Sequence, residues 1–176
     1  MTGPHHVVVM GVAGCGKSTV GEPLSAALEW EFAEGDDFHP EANRAKMRAG
    51  EPLTDADREP WLEALRGWTE ERDRDGVSTV VSCSALRRAY RDILRRADPE
   101  TFFVHLHGDF DLLLARMHER DHFMPESLLR SQFDTLEMLG PDEAGVLVDV
   151  APPVEEVIAR ALVAVRAHVL DAGASS

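Results

Sequence analysis

Cysteine is almost missing from this chain of 176 residues, with only Cys15 and Cys83 present. Two thiols make no disulfide framework, so the fold has to rest on its own core, and a reducing cytoplasm is the expected compartment. Long apolar runs are missing too. No stretch approaches the ~20 residues of a membrane span, so no membrane partner is expected. Basic charge is scarce: 18 Lys and Arg stand against 32 Asp and Glu, a formal net charge of −14. A general nucleic-acid binder carries a basic footprint, which argues against that class. A small anionic ligand remains allowed, because screening cuts off distant surface charge within ~8 Å and a pocket can be locally basic. Residues 1–6 are polar and lead into a strand, so a signal peptide is not expected. No internal repeat is visible. Low complexity is confined to residues 171–176, read as a disordered tail.

What is present is the composition of a globular protein, 44% hydrophobic and 28% charged. The length suits a single domain over residues 1–170, which buries roughly two-thirds of the unfolded chain's surface. Strand and helix signals alternate along it. Val7 to Met10 reads as a buried strand, Ser18 to Glu29 as a helix and Trp30 to Ala33 as a weak strand. Pro40 to Ala49 reads as a short helix opened by proline. Thr54 is a predicted N-cap with acids in the turn that follows, and the helix after it carries Trp61, Leu62, Leu65 and Trp68 on one side, positions that read as core. Val77 to Ser82 and Thr101 to Leu106 are strands. Leu86 to Ala97 and Phe110 to Arg120 are helices. After a polar gap, Ser127 is expected to cap a helix reaching about Leu139, with Val146 to Val150 the last strand and Val154 to Leu170 the last helix. Five apolar strands between helices imply an α/β three-layer sandwich with a five-stranded parallel sheet covered on both faces. In such sheets ligands bind outside the carboxyl ends of the strands.

The segment from Gly11 through Gly14, Cys15 and Gly16 to Lys17 and Ser18 fits G-x-x-x-x-G-K-[ST] between a strand and a helix. Glycines let the backbone turn tightly and aim N–H groups inward, and the following helix adds its positive end, so the loop fits an oligophosphate such as ATP. Lys17 is placed to bridge the β- and γ-phosphates, Ser18 to ligate Mg²⁺ and Thr19 to lie near the α-phosphate. Cys15 reads as a small side chain facing away from the phosphates. Glu34 and Asp36 follow the second strand. Asp36 suits acceptance of a hydroxyl proton, and Glu34 suits Mg²⁺, directly or through water.

The phosphate loop, Glu34-Gly-Asp-Asp-Phe-His-Pro40, Asn43-Arg44, Lys46-Met47, Gly50-Glu-Pro-Leu-Thr-Asp-Ala-Asp-Arg58, Pro60-Trp-Leu62, Cys83-Ser-Ala-Leu-Arg87 and Tyr90-Arg-Asp92 together resemble the gluconokinase family. Gly108 to Asp111, His122 to Pro125 and Ser131 to Phe133 extend the match, which covers roughly residues 6 to 165. The resemblance implies a P-loop fold of the nucleoside-monophosphate-kinase and shikimate-kinase type, Mg·ATP, D-gluconate as acceptor and a homodimer. In that class a helical segment, here about residues 40–75, closes over the acceptor, and a lid, here about 117–128, closes over ATP. An acceptor carboxylate calls for guanidinium groups, which makes Arg44, Arg58 and Arg87 candidates; His39 and Ser84 are candidates for its hydroxyls. In the lid, Arg116 is assigned to the adenine side and Arg120 to transition-state charge. The family commonly reads Arg-Lys-Gly-His-Phe where this chain reads Arg120-Asp-His-Phe123, a lid one residue shorter with an added acid. Two alternatives stay open: a kinase of the same fold acting on shikimate or a nucleoside monophosphate, and a non-catalytic nucleotide-binding regulator.

Overall fold

The computed structural model describes residues 3–119 and 125–175. Its framework is one sheet of five parallel strands: β1 (His6–Met10), β2 (Glu31–Glu34), β3 (Thr79–Ser82), β4 (Phe102–His107) and β5 (Gly145–Asp149), in the spatial order β2-β3-β1-β4-β5. Every residue of β1 and β3 is buried, which is why Val7–Met10 and Thr79–Val81 are continuously apolar or β-branched rather than alternating. β5 forms an edge, and its Gly145, Leu147 and Asp149 are exposed.

Seven α-helices among the described residues complete the sandwich: α1 (Lys17–Leu28), α2 (Glu41–Arg48), α3 (Asp55–Arg74), α4 (Arg88–Arg95), α5 (Phe110–Glu119), α6 (Glu126–Thr135) and α7 (Val154–Ala174). On one face α1 and α7 pack on each other, with Phe32 of β2 under Gly21 and Phe102 of β4 stacked on His168. On the other face α3 and α4 pair. There His6 of β1 meets Asp73 of α3 at 3.1 Å, and Arg95 of α4 covers the ring of Phe103. The Thr54 cap forms as expected and is reciprocal. The Asp57 N–H donates to Thr54 Oγ1 at 3.1 Å and the Thr54 N–H to Asp57 Oδ2 at 2.9 Å.

Several boundaries differ from the sequence reading, among them α4, which spans Arg88–Arg95 rather than Leu86 to Ala97, and β3, which begins at Thr79 rather than Val77. Pro125, not Ser127, caps α6; its carbonyl already accepts the Leu128 N–H at 3.0 Å, which puts Ser127 inside the first turn. The same helix stops at Thr135 rather than near Leu139 because tertiary partners take its next polar groups. The Glu137 N–H donates to the Leu86 carbonyl at 2.7 Å, and the carbonyls of Glu137 and Met138 accept from Arg91. At the C-terminus α7 continues through Ala174, so residues 171–174 are helical where a disordered tail was expected.

Candidate active site

The chain leaves β1 into a loop whose glycines adopt backbone angles that L side chains avoid. Gly11, Gly14 and Gly16 have φ of 145°, 79° and 93°. At Gly11 a Cβ would also lie 2.5 Å from the Leu106 carbonyl oxygen. The loop then feeds α1, whose first residues, Lys17 and Ser18, carry the motif's cation and hydroxyl. Lys17 Nζ lies across the loop and donates to the carbonyls of Gly11 and Val12 at 3.1 and 3.3 Å. The Cys15 side chain is buried beside Gly11.

Two neighbouring strand ends come up to this loop. After β2 the Trp61 indole N–H of α3 donates to the Gly35 carbonyl at 2.8 Å, and a Cβ on Gly35 would collide with the Ser82 carbonyl at 2.0 Å, so only glycine fits this close approach. The Ser82 hydroxyl donates to Glu34 Oε1 at 2.5 Å, and the Ser18 hydroxyl donates to the other Glu34 oxygen. After β3 the Ser84 carbonyl accepts the Gly11 N–H at 3.2 Å, which locks the two strand exits together. Ala85 follows with φ 45°, a strained value for a residue with a Cβ, and its carbonyl accepts from Arg91 at 2.9 Å. Arg91 is fully buried. It forks onto Glu143, and burial alone would raise that carboxyl, but Arg91, the Gly140 N–H and Arg95 together hold it down at about 2.

These strand ends enclose a cleft of about 510 Å³ lined by Gly14, Gly16, Lys17, Ser18 and Thr19 on one side and by Glu34, Asp36, His39, Met47 and Ser84 on the other. A second cleft of about 390 Å³ lies on the far side of the loop. It shares Gly14, Gly16 and Thr19 and adds Arg116, Pro152 and Pro153. The loop is thus a common wall: one cleft faces the prolines after β5, the other faces the α2–α3 segment.

Where the loop is built from main chain, the opposite wall is a lattice of side chains. His39 stacks on Trp61 with ring centroids 4.0 Å apart, and its Nδ1 lies 3.2 Å from the Asn43 amide nitrogen. That same nitrogen donates to the Asp57 carbonyl at 2.8 Å, and Lys46 pairs with the Asp57 carboxylate at 2.7 Å, so α2 is riveted to the first turn of α3. Arg44 is turned inward onto the backbone, donating to the carbonyls of Asp36, Asp37 and His39. Arg58 donates to the Tyr90 hydroxyl at 3.0 Å and lies over its ring. Tyr90 in turn donates to Asp55, which also pairs with Arg87 at 3.4 Å. The side chain of Asp36 is 72% exposed at the mouth, its Oδ1 4.0 Å from His39 Nε2.

The structure therefore gathers Gly14, Gly16, Lys17, Ser18, Thr19, Glu34, Asp36, His39 and Ser84 around one cleft, and sets Arg116 in the second. Arg58 and Arg87 lie together on the flank between α3 and α4, tied through Asp55 and Tyr90, while Arg44 braces the turn Gly35–Phe38. Arg120 lies outside the described residues. Tyr90, Asp55 and Gln132 fall within the blocks that carry the resemblance, but sequence reasoning assigned them no role. Gln132 Oε1 accepts the Ala13 N–H of the loop at 2.7 Å from α6, more than a hundred residues away in sequence, and no local spacing could reveal that contact.

Ser18, Ser82 and Glu34 bring hard oxygen atoms together at the start of α1. That donor chemistry fits Mg²⁺, which takes few carboxylates and keeps waters and phosphate oxygens in its shell. The fit does not need a dense protein cage, and no group of three or more His, Cys, Asp or Glu with metal-holding geometry occurs among the described residues. No helix among the described residues is long and apolar enough to cross a membrane.

Comparison with known proteins agrees with this geometry. Residues 13–138 match the family model "Shikimate kinase". The chain is 49% identical over 146 residues to the gluconokinase of Gluconobacter oxydans, covering 82% of each chain. It is 44% identical over 158 residues to the thermoresistant gluconokinase of Escherichia coli, covering 88% of this chain and 90% of that one. The crystal structure of a gluconokinase from Sinorhizobium meliloti superposes with a TM-score of 0.90 at 46% identity, over 100% of this chain and 99% of the other. Identity at this level over nearly the whole length, on a sheet and loop of the same type, means that the chain belongs to the gluconokinase family, a branch of the P-loop kinases of the shikimate kinase type.

Proposed function

We propose that the chain transfers the γ-phosphoryl group of ATP to a hydroxyl of D-gluconate, giving 6-phospho-D-gluconate. The observation that carries this reading is the single cleft in which a phosphate-binding loop faces Asp36, His39 and Ser84. The second cleft, between the loop and Pro152–Pro153, takes the nucleoside, with Arg116 at its edge, so that the β- and γ-phosphates cross the glycine loop into the first cleft. Main-chain N–H groups and the N-terminus of α1 hold the phosphates. Lys17 swings from the loop carbonyls to the β–γ oxygens and follows the charge as it moves.

In the transfer, the bond between the γ-phosphorus and the β–γ bridging oxygen breaks as a bond forms from the acceptor hydroxyl oxygen to that phosphorus. The hydroxyl proton goes to the Asp36 carboxylate, and ADP leaves with the electron pair of the broken bond. Ser18, with Glu34 directly or through water, holds Mg²⁺, which when bound offsets negative charge on the phosphate oxygens. Ser84 and His39 meet acceptor hydroxyls. Arg58 and Arg87 answer the acceptor carboxylate once the α2–α3 segment closes, and Arg44 keeps the Asp36 turn in shape while its guanidinium remains near the mouth. Arg120 is assigned to the developing charge on the lid side. A homodimer in the cytoplasm is the assembly that the family resemblance implies. Two buried thiols outside any disulfide fit a reducing compartment, and sedimentation equilibrium tests the dimer.

A coupled ADP-release screen over gluconate, shikimate and nucleoside monophosphates tests the acceptor. Turnover on gluconate is expected. Turnover on another acceptor with none on gluconate overturns the proposal, and tight ATP binding with no transfer to any of them turns it toward a regulator.

A further inference from the structure

The hydrogen-bond pattern around His39 fixes where its proton sits. The Asn43 side-chain atom 2.8 Å from the Asp57 carbonyl must be the amide nitrogen, because a carbonyl oxygen only accepts. The same nitrogen lies 3.2 Å from His39 Nδ1, so its second N–H points at that ring atom. A ring nitrogen that faces a donor has to offer its lone pair. The proton of the neutral imidazole is therefore on Nε2, and a cationic ring would set N–H against N–H. The ring is buried and stacked on Trp61 at 4.0 Å, in the orientation that turns Nδ1 to Asn43 and Nε2 to Asp36.

Nε2 is the edge that looks toward Asp36, 4.0 Å away across the cleft wall. An oxygen about 2.8 Å from both atoms closes a triangle with ordinary hydrogen-bond lengths. A hydroxyl there accepts from Nε2–H on a lone pair and donates its own hydrogen to Asp36, the arrangement an attacking hydroxyl needs. We infer that Asn43 is a positioning residue, which sets His39 as an Nε2–H donor so that the reacting hydroxyl of the acceptor is held between His39 and Asp36. The inference rests on the kinase reading above and names how that site orients its acceptor. The charged groups facing the ring agree with a neutral donor. Burial lowers its pKa most, Asp36 of the turn after β2 raises it, and Arg44 of α2 and Arg58 of α3 lower it, leaving about 4. The donor thus stays uncharged through the neutral range, and its hydrogen bond does not depend on pH there.

The direct test is long-range proton–nitrogen NMR of the full chain labelled on histidine, at pH 7 without substrates, with His39 assigned by the signal lost in His39→Gln. The neutral Nε2–H pattern is expected. An Nδ1–H or imidazolium pattern overturns the inference, and the measurement needs no turnover, so it stands apart from the identity of the acceptor. A kinetic cycle separates tautomer control from simple bracing of α2. Glutamine places an amide donor near Nε2 with no tautomer to set, so His39→Gln should cost about threefold in kcat/KM for the acceptor, while Asn43→Ala costs about tenfold, the size of one good hydrogen bond, with the ATP KM unchanged. In the His39→Gln background, Asn43→Ala should then add nothing. A tenfold loss that recurs in that background shows that Asn43 only braces the fold. Asn43→Asp, whose carboxylate accepts a hydrogen bond from Nδ1–H and favours the imidazolium, should bring an ionisation between pH about 6 and 8 into the acceptor kcat/KM profile, where the parent is flat. A flat profile in Asn43→Asp with His39 imidazolium visible by NMR would likewise overturn the inference.

Discussion

The loop after β1 and the α2–α3 wall opposite it face the same cleft but are made differently. The loop works through main chain. Its glycines turn, and Lys17, Ser18 and Thr19 follow at the start of α1 with a cation and two hydroxyls. The wall works through side chains that hold other side chains: Trp61 on His39, Asn43 between His39 and Asp57, Lys46 on Asp57, and Tyr90 between Arg58 and Asp55. A main-chain cradle is indifferent to what lies across from it, which suits a phosphate donor shared by many kinases. A side-chain lattice takes its shape from several elements at once, which suits an acceptor that must be told from similar acids.

The contrast can be broken by substitution. The largest effect should come from the loop's one cation: Lys17→Ala is expected to lower kcat by about 10³ or more, since charge stabilisation dominates phosphoryl transfer. A rate within about tenfold of the parent in the ADP-release assay would remove Lys17 from the machinery. Next comes the support of the β3 exit beside the cleft. Arg91 and Glu143 are both buried, so Glu143→Ala strands a buried guanidinium and should cost about 3–5 kcal/mol in urea unfolding. Acid sharpens this point. The Glu143 carboxyl sits below its ordinary 4.5, at about 2, so its contribution is complete above pH 4.5 and is lost as the pH falls toward 2. The parent should lose stability across that window more steeply than Glu143→Ala, and equal slopes would show that the pair carries no acid sensitivity.

Asp36→Asn is expected to reduce kcat by about 10²-fold and leave the ATP KM unchanged, the signature of a group that handles the acceptor proton. A fall in ATP affinity instead would move Asp36 from the acceptor wall to the nucleotide side. The smallest of the four is Arg58→Ala, expected to raise the acceptor KM about tenfold with little change in kcat, because a guanidinium that reaches the acceptor only as the α2–α3 segment closes adds binding rather than chemistry. An acceptor KM identical to the parent's would confine Arg58 to bracing Tyr90.

The same contrast explains what could be read in advance. The inner strands were legible because buried parallel strands run apolar through their centres, and the loop was legible because its chemistry depends on residues adjacent in sequence. Thr54 announced its helix because capping is local, within three residues. The end of α6 was not legible, since it is decided by Leu86 and Arg91 on other elements. Nor were the partners of Arg44, Arg58 and Arg87. Sequence gives their charge, but whether a guanidinium meets a backbone carbonyl, a tyrosine or a ligand depends on which helices pack beside it.

By itself, then, the amino-acid order determined the five strands, the glycine turn with its Lys-Ser pair and the placement of acids at the exit of the second strand. These are properties of short stretches whose backbone preferences and hydrophobicity act locally. Only the tertiary structure decided that His39 is clamped by Trp61 and Asn43 with one nitrogen turned toward Asp36, and that Arg91 ties the exit of β3 to Glu143. Those arrangements join residues from separate elements. They exist because burial makes an unpaired polar group costly and leaves each buried donor few acceptors within reach.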